Sequence, residues 1–133
     1  MKLISLDFGA VRIGVAIGNS KIGVATPRPF LVNDSKLLTT LAKICKIEKI
    51  DKIILGLPQG LNGETAQTQI VKEFSEKLQK DLNIEIDFID ERFTSKIAEK
   101  KLREDKKSAR AQKNLIDSES ARIILQDFFD RPS

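Results

Sequence analysis

The sequence predicts an α/β fold: a five-stranded mixed sheet that opens as an antiparallel meander, continues in βαβα units and is flanked by helices. Three observations predict it. Strand-like runs crowd the first 25 residues with short turns between them, which forces neighbouring strands to be antiparallel. From residue 33 onward, short apolar runs alternate with amphipathic segments of helical period. The length, 133 residues, suits one domain spanning 1–133 with a real hydrophobic core.

Taken in order, residues 2–8 (KLISLDF) read as the first strand and Gly9-Ala10-Val11 as a turn. Residues 12–18 (RIGVAIG) form the second strand, with Asn19-Ser20 as the next turn. Residues 21–25 (KIGVA) form the third, ended by Thr26-Pro27-Arg28-Pro29. Asn33-Asp34-Ser35 offers helix caps, and Leu38, Leu41, Ala42 and Cys45 follow at helical spacing. Residues 52–56 (KIILG) resemble a buried parallel strand. A loop over 57–65 leads to a second helix, whose stripe is Ile70, Phe74, Leu78 and Leu82. Residues 84–90 (IEIDFID) are the fifth strand. Thr94-Ser95 caps a third helix over 95–103, 104–110 is a charged loop, and a last helix covers roughly 112–129.

Composition narrows the chemistry. Histidine is absent, which removes Ser-His-Asp triads, Cys-His pairs and the usual zinc ligands together. The lone cysteine, Cys45, excludes an intrachain disulfide and reads as packing. No apolar run is long enough to span a membrane, and an aspartate interrupts the opening MKLISLDFGA, so no membrane partner and a cytoplasmic setting are expected. Nine basic residues against three acidic ones lie between Arg92 and Lys113, a local +6 on a chain of net +4. Such a stripe suits phosphate-backbone contact; a solvated helix face has the same composition.

Three acids stand where a stable fold would not choose them. Asp7 lies near the carboxyl end of a strand expected in the sheet interior, where a carboxylate is costly unless paired or metal-bound. Glu91 follows the fifth strand at its carboxyl end, where sites in such sheets gather. Its neighbour Asp90 points to the other face by alternation, which favours Glu91 without excluding Asp90. Asp117 extends the stripe Ala121, Ile124, Phe128 of the last helix, or marks where that stripe ends in solvent. Two strand ends and a helix turn can converge, and clustered carboxylates without histidine suit Mg²⁺ or Mn²⁺. Such ions serve phosphodiester hydrolysis.

Four segments then carry a resemblance: LDFGAVRIGVAIGNS (6–20), ILGLPQGLNGETAQTQ (54–69), DERFTS (90–95) and DSESARIIL (117–125). In order and spacing they resemble the YqgF-type family, whose RuvX-like members are described as pre-16S ribosomal RNA nucleases or Holliday junction resolvases. The resemblance covers about residues 3–129. It implies an RNase H-like fold related to RuvC-type resolvases, with sheet order 3-2-1-4-5, and an acidic metal site of Asp7, Glu91 and Asp117. It also implies 5′-end processing of pre-16S rRNA. One departure is Ser120-Ala121 where the family pattern D-x-x-A-A has two alanines, though serine is also small. Arg12 and Arg92 follow site acids closely and either contact phosphate or hold the acids by salt bridges. With Lys106, Lys107 and Arg110 they form the candidate nucleic-acid-binding set.

Two other classes compete. The D-F-G-A-x-R-I-G-V-A segment also resembles the first phosphate loop of the actin, Hsp70 and sugar-kinase superfamily, but those enzymes close two such domains over a nucleotide. A non-catalytic RNA-binding module of the same fold would keep binding in EDTA and after loss of the acids. Among nucleases, a resolvase acting on structured DNA requires a symmetric homodimer, whereas an RNA-processing enzyme can work as a monomer.

Overall fold

A computed structural model describes residues 1–57, 65–90 and 109–131, with the backbone alone for 109–117. Its five strands are β1 (Lys2–Asp7), β2 (Arg12–Asn19), β3 (Val24–Val32), β4 (Lys52–Leu57) and β5 (Glu85–Asp90). The helices are α1 (Leu37–Glu48), α2 (Ala66–Leu82) and α3 (Ala109–Asp130). The sheet order is β3-β2-β1-β4-β5, as the resemblance implied. β1 pairs antiparallel with β2 and parallel with β4, β2 pairs antiparallel with β3, and β4 pairs parallel with β5. The predicted helix over 95–103 lies outside the described residues.

β1 is the central strand, and Leu3, Ile4, Ser5 and Leu6 are all fully buried. Its alternation divides the core in two. Ile4 and Leu6 join Ile13, Val15, Ile17, Ile53 and Leu55 beneath α1 and α2, which contribute Leu37, Leu41, Cys45, Val71, Phe74 and Leu78. Leu3 joins Ala16, Ala25, Ile54 and Ile89 beneath Ala121, Ile124 and Leu125 of α3. Burial raises the Cys45 thiol to a pKa of about 11, in keeping with its reading as packing.

Some expectations are corrected. The third strand begins at Val24 rather than at residue 21 and runs on through both prolines to Val32. Residues 20–23 are the turn: Asn19 carbonyl accepts from the Ile22 and Gly23 amides, and Gly23 takes the positive φ of 76°. Pro27 and Pro29 are tolerated because β3 is an edge strand. In α2, Ile70 is 44% exposed and Val71 is buried in its place. A strict spacing of four drifts by about 40° per step against the 3.6-residue turn, so the stripe runs 71, 74, 78. Asp34 does not cap α1 through its side chain: Lys36 is the N-cap, and Asp34 Oδ1 instead accepts the Lys36 amide at 2.9 Å. The last helix starts at Ala109, inside the segment read as a charged loop.

Candidate active site

Asp7 is the last residue of β1 and is half-buried. Since Leu3 and Ser5 face α3 and Ile4 and Leu6 face away, alternation puts Asp7 on the α3 face. Its partner on β2 is Gly14. On β4 the residue at its level is Gly56, one beyond the Leu6–Leu55 pair. Both glycines lie on the α3 face, because Ile13, Val15, Leu55 and Leu57 all point into the other core. Neither adjoining strand therefore sets a side chain directly opposite Asp7. Glycine inside a strand commonly marks a close approach, a signal present in the sequence that the reading of Asp7 alone did not use.

The other elements arrive at the same end of the sheet. β1, β4 and β5 are parallel, so their carboxyl ends lie together, and β5 ends at Asp90. Ile89 faces α3, so Asp90 lies on the opposite face, as alternation predicted. Glu91 and Arg92 lie outside the described residues, as do Lys106 and Lys107. α3 runs antiparallel to β1. Phe129 packs on Gly18 near the start of β1, and Ser5 Oγ donates to the Ala121 carbonyl at 2.6 Å. Position 117, about 6 Å further along the axis, is thereby carried toward the Asp7 end. The side chains of Arg110 and Asp117 are outside the described set. Among the described residues no three acidic or thiol side chains form a metal-binding group.

α3 is held in this direction by polar anchors. Ser118 Oγ donates to the Arg28 carbonyl. Gln126 accepts the Ala25 amide at 3.0 Å and donates to the Gly23 carbonyl at 2.9 Å. These bonds engage backbone groups of the edge strand β3 and of Gly23 in the turn before it. Ser120 is buried, so serine meets the demand for a small residue at that turn. At the far end of the same face, Lys52 Nζ lies 2.9 Å from Asp87, whose hydrogen bond holds the ammonium pKa above its ordinary value.

The loop after Asp7 is also fixed. A Cβ on Gly9 would collide with the Arg12 carbonyl oxygen, so that position needs glycine. Asn33 Nδ2 donates to the Gly9 carbonyl at 2.8 Å, and the Asn33 amide donates to the Val11 carbonyl at 2.9 Å. Arg12 opens β2 on the α3 face, and its guanidinium carbon sits 4.9 Å from the Phe30 ring centre. Asn33 and Phe30 were not legible as site neighbours, because both depend on where β3 ends. A cleft of about 320 Å³ at this end, lined by Phe8, Asn33, Asp34, Glu73 and Phe74 among others, belongs to the α1/α2 side and carries two carboxylates toward any ligand.

Comparison with known proteins fits this arrangement. The family model described as "RuvX: Holliday junction resolvase" matches residues 1–131. The chain belongs to this family. A relative from Sulfurihydrogenibium sp. is 44% identical over 99% of this chain and 92% of its own length. Another, from Methylobacillus flagellatus, is 36% identical over 96% of this chain and 90% of its own. Both carry the name "Putative pre-16S rRNA nuclease". Among solved structures, Thermus thermophilus RuvC with a Holliday junction superposes with a TM-score of 0.58 at 10% identity, covering 97% of this chain and 94% of that one. The fowlpox virus resolvase with junction DNA gives 0.61 at 13% identity, covering 98% and 97%. These similarities establish the RNase H-like fold of the resolvases for this RuvX-family chain. By class it is a nuclease, a hydrolase of phosphodiester bonds. Among the described residues no helix is long and apolar enough to cross a membrane.

Proposed function

We propose that this RuvX-family nuclease trims the 5′ end of precursor 16S rRNA in the cytoplasm, at a site made of Asp7, Glu91 and Asp117 that holds Mg²⁺ or Mn²⁺. The observation that carries this reading is the placement of Asp7: at the carboxyl end of the central strand, on the α3 face, between two glycines. Glu91 is the next residue after the β5 terminus, and position 117 lies on the helix that runs to the same end. The donor set fits the ion, since it is all oxygen and the chain has no histidine. Gly14 and Gly56, at the level of Asp7 on the two adjoining strands, contribute no side chain of their own. A hard divalent ion bound there supplies Lewis acidity toward the scissile phosphate and lowers the pKa of water.

The chain's own residues do the rest. The three carboxylates repel one another until a cation joins them, which makes the site selective for divalent ions. Arg12 and Arg92 orient the strand by its phosphates, and Lys106, Lys107 and Arg110 hold the flanking backbone. The names of the relatives favour the ribosomal precursor as substrate. The family description favours a second reading, a DNA junction cut by a homodimer.

Incubating the purified chain and Mg²⁺ with end-labelled pre-16S RNA, and separately with a four-way DNA junction, tests both. The expected result is discrete cleavage of the RNA that EDTA stops and Mn²⁺ restores. Cleavage of the junction alone, in paired symmetric cuts, would favour the second reading. Binding that survives EDTA with neither polymer cut would leave a non-catalytic module.

A further inference from the structure

β3 changes register once. Before the change Pro27 stands opposite Ala16 and Arg28 opposite Val15; after it Leu31 stands opposite Ile13 and Val32 opposite Arg12. Pro29 and Phe30 therefore share the position facing Gly14, which is a β-bulge. The additional residue inverts the strand's alternation. Upstream, Ala25 packs beneath α3 and Arg28 reaches Glu48 of α1. Had the alternation continued, Phe30 would lie on the α1 side and Leu31 on the α3 side. Instead Leu31 packs against the α1/α2 core, and the Phe30 ring lies beside the Arg12 guanidinium on the α3 face. The bulge faces Gly14, and Gly14 is the partner of Asp7.

We propose that the bulge in β3 aims Phe30 at Arg12, and that Phe30 is a positioning residue that holds this guanidinium, on the sheet face of Asp7 and two residues before its partner Gly14, for a phosphate of the nucleic-acid strand. The proposal rests on the reading of Arg12 as a phosphate contact. A separation of 4.9 Å is inside the range of cation–π attraction. The negative face of the ring attracts the guanidinium charge itself. It also limits the rotamers of a long, half-buried side chain before the strand arrives. The edge strand is a natural place for such a device, because a bulge there disturbs pairing on one side only.

The test measures binding of a labelled four-way DNA junction and a labelled structured RNA, in Ca²⁺ over a series of salt concentrations. The proteins are wild type, Phe30→Leu, Phe30→Tyr, Arg12→Gln and the double variant Arg12→Gln with Phe30→Leu. Phe30→Leu should weaken binding about three- to tenfold and flatten the salt dependence. Phe30→Tyr, which keeps the ring, should restore both. The double variant should bind no more weakly than Arg12→Gln alone. If the two single effects multiply, or if Tyr fails as Leu does, Phe30 acts through the fold and the proposal is overturned. Wild-type binding by Arg12→Gln overturns it too, without touching the metal site, which is judged separately by cleavage after loss of Asp7. Should Phe30→Leu fold poorly, Phe30→Ile, a stronger strand former, makes the same comparison.

Discussion

The two faces of the sheet are built differently. Among the described residues the larger core lies beneath α1 and α2, where aliphatic residues and Phe74 pack against β2, β1 and β4. Beneath α3 the buried cluster is smaller, and side-chain hydrogen bonds from Ser5, Ser118 and Gln126 fix the helix to particular backbone groups. Packing is non-directional and supplies bulk stability. Hydrogen bonds are directional and fix register. The face that must deliver a carboxylate to a defined point is the one tied down by directional contacts, and Asp7, Arg12 and Phe30 all belong to it.

Four variants probe that division. Asp7→Asn should lower cleavage on the order of a thousandfold while thermal unfolding stays near wild type, because shape is kept and ligand charge lost. A large fall in stability with cleavage retained would reverse the assignment of this face. On the other side, Leu78→Ala should cost about 2–5 kcal/mol in denaturant unfolding, since Leu78 is fully buried. The protein that remains folded should keep its activity per molecule. Neutralising Lys106, Lys107 and Arg110 together should lower the slope of log binding constant against log salt by roughly 3, with stability unchanged. An unchanged slope would place these charges away from nucleic acid. Ser5→Ala should have the smallest effect, about 1 kcal/mol, because the Ala121 carbonyl loses one of its partners. Its cleavage rate should nevertheless fall more than that of an equally destabilised variant of the α1/α2 face.

The parts of the fold legible in the sequence were those set by local pattern. The strand-like run KLISLDF marked β1, the run KIILG marked β4, and the stripe Ala121, Ile124, Phe128 marked the buried face of α3. β3 was misjudged because prolines read as strand breakers, and nothing local reveals that a strand lies at an edge where a missing amide costs little. The exposure of Ile70 was missed because a spacing of four looks helical over two steps and drifts over three. At the site, Asp7 was legible as an acid in a strand too apolar to want one. The glycines beside it were not, since matching them to Asp7 requires the register that sets Gly14 on one side and Gly56 on the other. Phe30 was hidden further still, behind a bulge that exists only in the paired sheet.

The most direct measurement is a crystal grown or soaked with Mn²⁺ and read by anomalous scattering. Bound metal should appear at the carboxyl end of β1, coordinated by oxygens of Asp7, Glu91 and Asp117, and should vanish in Asp7→Asn. Manganese bound elsewhere, or a wild-type crystal in which the three carboxylates stand apart with no ion between them, would contradict the account.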